Sequence, residues 1–219
     1  MSVKMESFLS EALANTDERL LKPWLGSLKK QRHDFMNDIQ VLASYLILHK
    51  VEEGRRYVEQ LTQRMQQESL LIQLDYAPLV VYLITFNYQQ DILQLEVELD
   101  HDFTLEDLSV QPQVFFQAIR RWLDIYCRYA VTSKKEPASA GVQVRETSGS
   151  LVRNHLLLSI RVLQRELEVT FDYVGYLEAE SALKDIRALI MELEQAGFRC
   201  QEGLHNGEES VMKMTVPFV

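Results

Sequence analysis

The sequence is poor in cysteine, glycine, basic charge and long apolar runs. Its two cysteines, Cys127 and Cys200, form no CxxC pair among 219 residues. That excludes a zinc knuckle and a disulfide framework, and predicts free thiols in a cytoplasmic protein. The longest apolar stretch, Tyr76–Ile84, is 9 residues even with Pro78 counted, under half the ~20 that a membrane-spanning helix needs. Met1–Ala14 carries Lys4, Glu6 and Glu11 with no apolar h-region, so no secretory signal is visible. The 23 Lys and Arg stand against 32 Asp and Glu, a formal charge of −9. Such a balance lacks the basic footprint of a nucleic-acid binder. There are 8 glycines; those at 141, 149, 175, 197, 203 and 207 are all isolated, and GxG occurs nowhere.

What is present is 47% hydrophobic residues, enough for one or two domains with cores and too apolar for a disordered tail. Two points punctuate the chain. Ala77-Pro78 pushes the residue before proline out of the helical region. Thr132–Gly141, a polar stretch with Pro137, reads as a surface loop. The first point divides a helical segment, 1–76, from a mixed segment, 77–219.

Residues 17–49 read as one long helix. Leu25, Leu28, Phe35, Ile39, Leu42 and Leu46 recur in steps of three and four, interrupted by Arg32, which is a coiled-coil type of seam. Pro23 either kinks the second turn or marks the start. A second helix over 52–73 repeats the pattern at Val58, Leu61, Met65 and Ile72. His49–Glu53 allows only a tight connection, so the two helices run antiparallel. Their seam is too apolar to stay in water, and a homodimeric four-helix bundle is the simple solution. His49 should continue the seam. Residues 1–16 allow a short amphipathic helix through Phe8, Leu9 and Leu13.

After Pro78 the period changes. Helices are expected at 78–92, 110–131 and 178–196. Strands are expected at 95–99, 142–146, 156–162, 166–173, 198–201 and 211–216. Strands and helices mix without strict alternation, which is an α+β arrangement built as an α/β sandwich.

The chemistry concentrates at Arg32-His33-Asp34-Phe35-Met36-Asn37. With Arg32 and Phe35 on the seam, His33 and Asn37 fall on the outward stripe with Lys30, Gln40 and Ser44. An outward imidazole on a rigid bundle is a nucleophile that a second protein can reach. Asn37, one turn later, can orient a ring nitrogen or a water molecule. Asp34 lies about 100° round the helix and can accept a proton beside the ring. Lys29, Lys30 and Arg32 place positive charge where a phosphoryl group would arrive. The other histidines read as bland: His101 and His155 beside strands, His205 in a polar turn.

This run, followed by a short-linked second helix with Val51-Glu52-Glu53-Gly54, resembles the phospho-accepting hairpin of the sporulation initiation phosphotransferase B family. The same hairpin type occurs in citrate/dicarboxylate sensor histidine kinases. The resemblance is good over ~20–75 and weaker towards the carboxy terminus, which is similar to the kinase-type ATP-binding sandwich. It implies that His33 is phosphorylated on nitrogen, with Asp34 and Asn37 as the family's acidic and amide neighbours. From their charge and their place on the stripe, Lys29, Lys30, Arg32, Gln40 and Ser44 are the residues expected to meet the partner.

The resemblance makes a demand that the second half does not meet. A working ATP site of this kind needs a magnesium-holding Asn, an Asp-x-Gly turn and glycine-rich segments. The Asn position falls at Ile125, which cannot coordinate a hard cation through its side chain. Asp172-Tyr173-Val174-Gly175 is one residue too long, and phosphate cradles need glycines that are absent here. The expectation is therefore a degenerate ATPase-like sandwich and a relay enzyme that binds no cofactor itself. It would take a phosphoryl group from one response-regulator aspartate and give it to another in sporulation initiation. The Mg²⁺ would be supplied by the partner's receiver domain. Two alternatives stay open: a sensor-type histidine kinase with a diverged ATP site, and a non-catalytic dimeric scaffold that sequesters a response regulator.

Overall fold

A computed structural model describes residues 2–101, 103–131 and 154–219, with side chains from Leu25 onward. The chain divides into two compact units, Met1–Arg64 and Met65–Val219. It consists of N-terminal helices followed by an α/β sheet domain.

The first unit is formed by α1, over Ser2–Ile47, and by α2 (Val51–Ile72) as far as Arg64; the last residues of α2, from Met65, belong to the second unit. Pro23 therefore does not start the helix. Residues 2–22 contain no glycine or proline and are rich in helix formers, so the helix extends back past it. The turn between α1 and α2 is tight. Leu48 N–H bonds the Ser44 carbonyl at 3.0 Å and Lys50 N–H the Tyr45 carbonyl at 2.9 Å. His49 takes a left-handed conformation there, φ 54°, which is how a helix C-terminus is commonly closed. This corrects its assignment to the seam: it is an exposed turn residue. Glu52 and Glu53 occupy the first turn of α2, where carboxylates suit the helix dipole.

Among the described residues of this unit, no apolar side chain is buried. Leu25, Leu28, Ile39, Leu46, Val51 and Val58 are exposed, and Phe35 is 57% exposed; Leu42 and Leu61 are half-buried.

The second unit centres on a five-stranded sheet of order β1-β3-β4-β7-β6. Its strands are β1 (Leu93–Leu99), β3 (Asn154–Leu163), β4 (Glu166–Val174), β6 (Arg199–His205) and β7 (Glu209–Pro217). β1 pairs with β3 in parallel and the remaining pairs are antiparallel. The short β2 (Ala130–Val131) pairs separately with β5 (Tyr176–Leu177). Among the described residues, three further α-helices, α3 (Ala77–Gln89), α4 (Pro112–Tyr129) and α5 (Ala179–Gln195), and a short 3-10 turn at Leu105–Asp107 accompany the sheet. Proline stands second in α3 and first in α4, where its missing N–H is no loss; Ala77 is thus helical, against the expectation for a residue before proline.

β4 shows why one sheet face is the core. Leu167, Val169, Phe171 and Tyr173 are buried, while the alternating Glu166, Glu168, Thr170 and Asp172 are half-exposed. Trp122 of α4 stacks on Phe171 at 5.1 Å and Tyr126 on Tyr173 at 5.3 Å. The strand expected over 142–146 lies outside the described residues.

Candidate functional site

The uninterrupted helix through residues 29–44 fixes which side chains share a stripe. His33 and Asn37, one turn apart, meet directly: the Asn37 amide nitrogen lies 3.2 Å from His33 Nδ1. Asp34 Oδ1 lies 3.5 Å from the same ring nitrogen. The His33 side chain is 72% exposed, and both contacts are to Nδ1. They have opposite demands on the proton. A donating amide requires a lone pair on Nδ1 and the proton on Nε2. An acceptor there, Asp34 or the amide turned over, requires the proton on Nδ1 and frees the Nε2 lone pair.

The remaining residues of the sequence-derived site lie along the same helix. Lys29, Arg32 and Gln40 are exposed, and Lys30 is half-buried. Ser44 is exposed and donates back to the Gln40 carbonyl at 2.8 Å. Lys30, His33, Asn37, Gln40 and Ser44 follow one another in steps of three and four, so the stripe is continuous.

Sequence reasoning passed over Asp38. Tyr57 Oη donates to its Oδ1 at 2.6 Å, and Arg64 Nη2 donates to its Oδ2 at 2.6 Å. Both donors come from α2, and no motif advertises contacts across 19 and 26 residues. The hydrogen bond to Asp38 raises the Tyr57 phenol above its ordinary value, so Tyr57 stays a donor. Nearby, the rings of Tyr45 and Tyr57 pack at 6.0 Å, and Gly54 approaches Tyr45 so closely that an added Cβ would sit 3.3 Å from its Cβ.

In the second unit, the counterpart of a magnesium ligand, Ile125, is 6% exposed on α4. Its neighbours Trp122 and Tyr126 are fully buried rings. The glycines there are used by the fold. A Cβ on Gly175 would lie 2.4 Å from Asn154 Oδ1, and one on Gly203 2.8 Å from the Val211 carbonyl. β4 leads through Gly175 and β5 to α5 with only Glu178 between Leu177 and Ala179. Among these described residues, the Ile125 side chain offers no oxygen ligand to a hard cation.

Asn154, buried at the start of β3, accepts from Tyr173 Oη and Tyr176 N–H and donates to the Ile92 and Val131 carbonyls. His205 is the last residue of β6, which corrects its reading as a turn residue. Its Nδ1 is 2.9 Å from Ser210 Oγ and its Nε2 2.9 Å from the Ala179 carbonyl. A ring with two fixed partners tethers β6 to α5. His155 pairs with Glu96 across the parallel β1–β3 register, and His101 lies 3.6 Å from Asp100. Among the described residues there is no group of three or more His, Cys, Asp or Glu placed to hold a metal. None of the described helices is long and apolar enough to cross a membrane.

Residues 16–74 match the family described as Sensor_kinase_SpoOB-type, alpha-helical domain. Sporulation initiation phosphotransferase B of Bacillus subtilis (strain 168) is 26% identical over 174 residues, covering 78% of this chain and 80% of that protein. Among solved structures, a histidine kinase from Burkholderia phymatum STM815 is similar at 13% identity, covering 90% of this chain and 98% of that chain, with a TM-score of 0.43. The histidine kinase ThkA, solved in complex with response regulator protein TrrA, is similar at 11% identity, covering 99% of this chain and 67% of that chain, with a TM-score of 0.39. The resemblance read from Arg32 to Gly54 is thus shown: the helical hairpin of this chain matches the SpoOB-type alpha-helical domain.

Proposed function

We propose that this chain is a homodimeric phosphorelay phosphotransferase that carries a phosphoryl group on His33 between two response-regulator aspartates. The observation that carries this reading is the His33 imidazole: exposed, on a rigid helix, and held through Nδ1. Nε2 has no partner among the described residues. That is the atom a second protein can meet.

In the transfer, Nε2 attacks the phosphorus of an aspartyl phosphate on the receiver. The N–P bond forms as the bond to the carboxylate oxygen breaks, and the aspartate leaves as carboxylate. The ring becomes cationic, and its Nδ1 proton passes to Asp34. Asn37 then donates its amide to the vacated Nδ1 lone pair, which suits the neutral phosphoimidazole. Transfer to the second receiver reverses these steps. The magnesium that receiver chemistry uses belongs to the receiver's own acidic pocket. Lys29, Lys30 and Arg32 attract that acidic partner, and Gln40 and Ser44 extend the docking stripe.

The exposed apolar seam calls for a second copy. Leu25, Leu28, Phe35, Ile39, Leu46, Val51 and Val58 are exposed in the single chain. At ~1.5 kcal/mol or more per buried aliphatic side chain, such a stripe strongly favours pairing with its own copy as a four-helix bundle. The second unit carries no ATP in this reading, because Ile125 and the structural glycines leave no ligand set for it. The relative named a sporulation initiation phosphotransferase supports a place in sporulation initiation.

The test is phosphoryl transfer from an isolated receiver domain charged with ³²P, run beside direct incubation with labelled ATP. Wild type should take label from the receiver, pass it to a second receiver and take none from ATP. His33→Ala should lose all label while keeping its fold. Labelling from ATP would make the chain a histidine kinase with a diverged site. Receiver binding without label, unchanged in His33→Ala, would make it a scaffold.

A further inference from the structure

We infer that Asp38 is a positioning residue for His33, and that Tyr57 and Arg64 form with it a polar clamp that sets the rotation of α1 at the site. This deepens the reading of His33 as the phosphoryl carrier and rests on it. Asp38 directly follows Asn37, so its azimuth on α1 dictates where Asn37 and His33 face. Its carboxylate is 18% exposed, against 51% for Asp34. Each oxygen takes its own donor at 2.6 Å. The donors are seven residues apart on α2, two turns and roughly 10 Å of rise, so they reach Asp38 from two directions along the helix. One carboxylate held from both sides resists sliding as well as rotation.

Beside the Tyr45–Tyr57 packing and the close approach of Gly54 to Tyr45, which lie nearer the turn, the described hairpin shows no buried apolar contact to specify that rotation. No apolar side chain over residues 25–64 is buried, and apolar contacts are in any case non-directional. A polar pair is the kind of contact that fixes register. Arg64 is 57% exposed, so its ion pair contributes little to folding stability. The clamp is suited to orientation more than to stability, and that contrast makes it testable.

The experiment uses the full chain with Asp38→Ala, Asp38→Asn, Tyr57→Phe and Arg64→Gln. Three readouts are taken: single-turnover transfer from the ³²P-charged receiver over a range of receiver concentrations, the thermal midpoint, and the imidazole NMR resonances of His33 without partner. Asp38→Ala should lower the maximum transfer rate about tenfold or more, while the half-saturating receiver concentration stays within about twofold. Asp38→Asn keeps an acceptor for Tyr57 and should recover part of that rate. The His33 ring resonances should move in Asp38→Ala although the substitution is five positions away.

A maximum rate within about twofold of wild type, or a change confined to the half-saturating concentration, overturns the inference. So does a rate loss reproduced by a substitution elsewhere in the hairpin that lowers the midpoint equally. If wild type takes no label, the carrier reading has failed and the ring resonances alone decide the clamp. Moved resonances then support it, and unmoved ones overturn it.

Discussion

The two units treat the same kind of apolar periodicity in opposite ways. In the second unit the apolar positions of α4, β4 and α5 close over one core, with Phe115, Ile119, Trp122, Phe171 and Ile186 essentially inaccessible. Among the described residues of the hairpin, seam positions of equal regularity remain in water. Charge divides the same way. Residues 1–64 hold 10 Lys and Arg against 9 Asp and Glu, whereas residues 65–219 hold 13 against 23. The acidity of the chain therefore belongs almost wholly to the sheet unit. A periodic apolar stripe is evidence of a buried surface, but the stripe does not say whose surface covers it. In the sheet unit the covering elements lie within the chain; among the described residues of the hairpin none buries the seam.

The largest effect should come from testing that difference at the seam. Leu46 is exposed and lies about three and a half helical turns beyond His33. Leu46→Asp in a symmetric dimer places two carboxylates in one seam, at ~1.5–2 kcal/mol or more for each lost side chain. Dimer dissociation should strengthen by on the order of several hundredfold, read by sedimentation equilibrium, with the thermal midpoint of the sheet unit unchanged. Wild-type chains that stay monomeric at high micromolar concentration would break the comparison.

Next is Gly175→Ala in the sheet unit. Its new Cβ would meet Asn154 Oδ1 at 2.4 Å and Asn154 Cα at 2.8 Å. The side chain cannot give way without releasing Tyr173 Oη and Tyr176 N–H, both held by Asn154. Stability should fall by about 3 kcal/mol, as expected when a buried network loses its centre. Urea denaturation measures this, and a loss under 1 kcal/mol would show that the network can rearrange.

How much of this was legible follows from what periodicity encodes. A helix begins close to Pro78 as expected, although it takes in Ala77, and a strand runs over 166–173 as expected. The stripe shared by His33 and Asn37 follows from helical spacing alone, and their ring-to-amide contact makes it concrete. Pairings between distant polar residues were not legible. Nothing in the sequence around Asp38 indicates that Tyr57 and Arg64 will reach it. Similarly, His205 sits beside Asn206 and Gly207 and reads as a loop residue, yet β6 carries it to Ser210. Helix length failed for a related reason, since Pro23 was weighed locally while the residues on both sides favour helix.

A smaller difference should appear in the thiols. Burial, reinforced by the neighbouring Asp124 carboxylate, pushes Cys127 up to about 11. Burial and Glu194 push Cys200 up to about 11. At pH 8 both should alkylate with iodoacetamide about a hundredfold more slowly than in the unfolded chain, because only thiolate reacts. The sign for stability follows from linkage. The neutral thiols favour the folded state below the ordinary thiol range, and that contribution is lost as pH rises from about 9 towards 11. Equal alkylation rates in native and unfolded protein would mean that the sheet unit opens around them.

The smallest effect is also the finest probe of the hairpin. Gly54 lies within α2, where replacement by alanine gains about 0.8–1 kcal/mol of helix propensity. Against that gain stands Tyr45, whose Cβ would be 3.3 Å from the new methyl, tight enough that α1 must yield by a few tenths of an ångström. The two effects oppose each other, and Gly54→Ala should change stability by less than about 0.5 kcal/mol. A full gain in the thermal midpoint would mean that Tyr45 moves freely and that α1 and α2 are not held at this distance. A clear loss would mean the opposite, that the Tyr45–Tyr57 packing and the Asp38 contacts beyond it hold the two helices too rigidly to yield. The same glycine-to-alanine change thus separates a unit whose backbone is locked from one whose backbone can adjust.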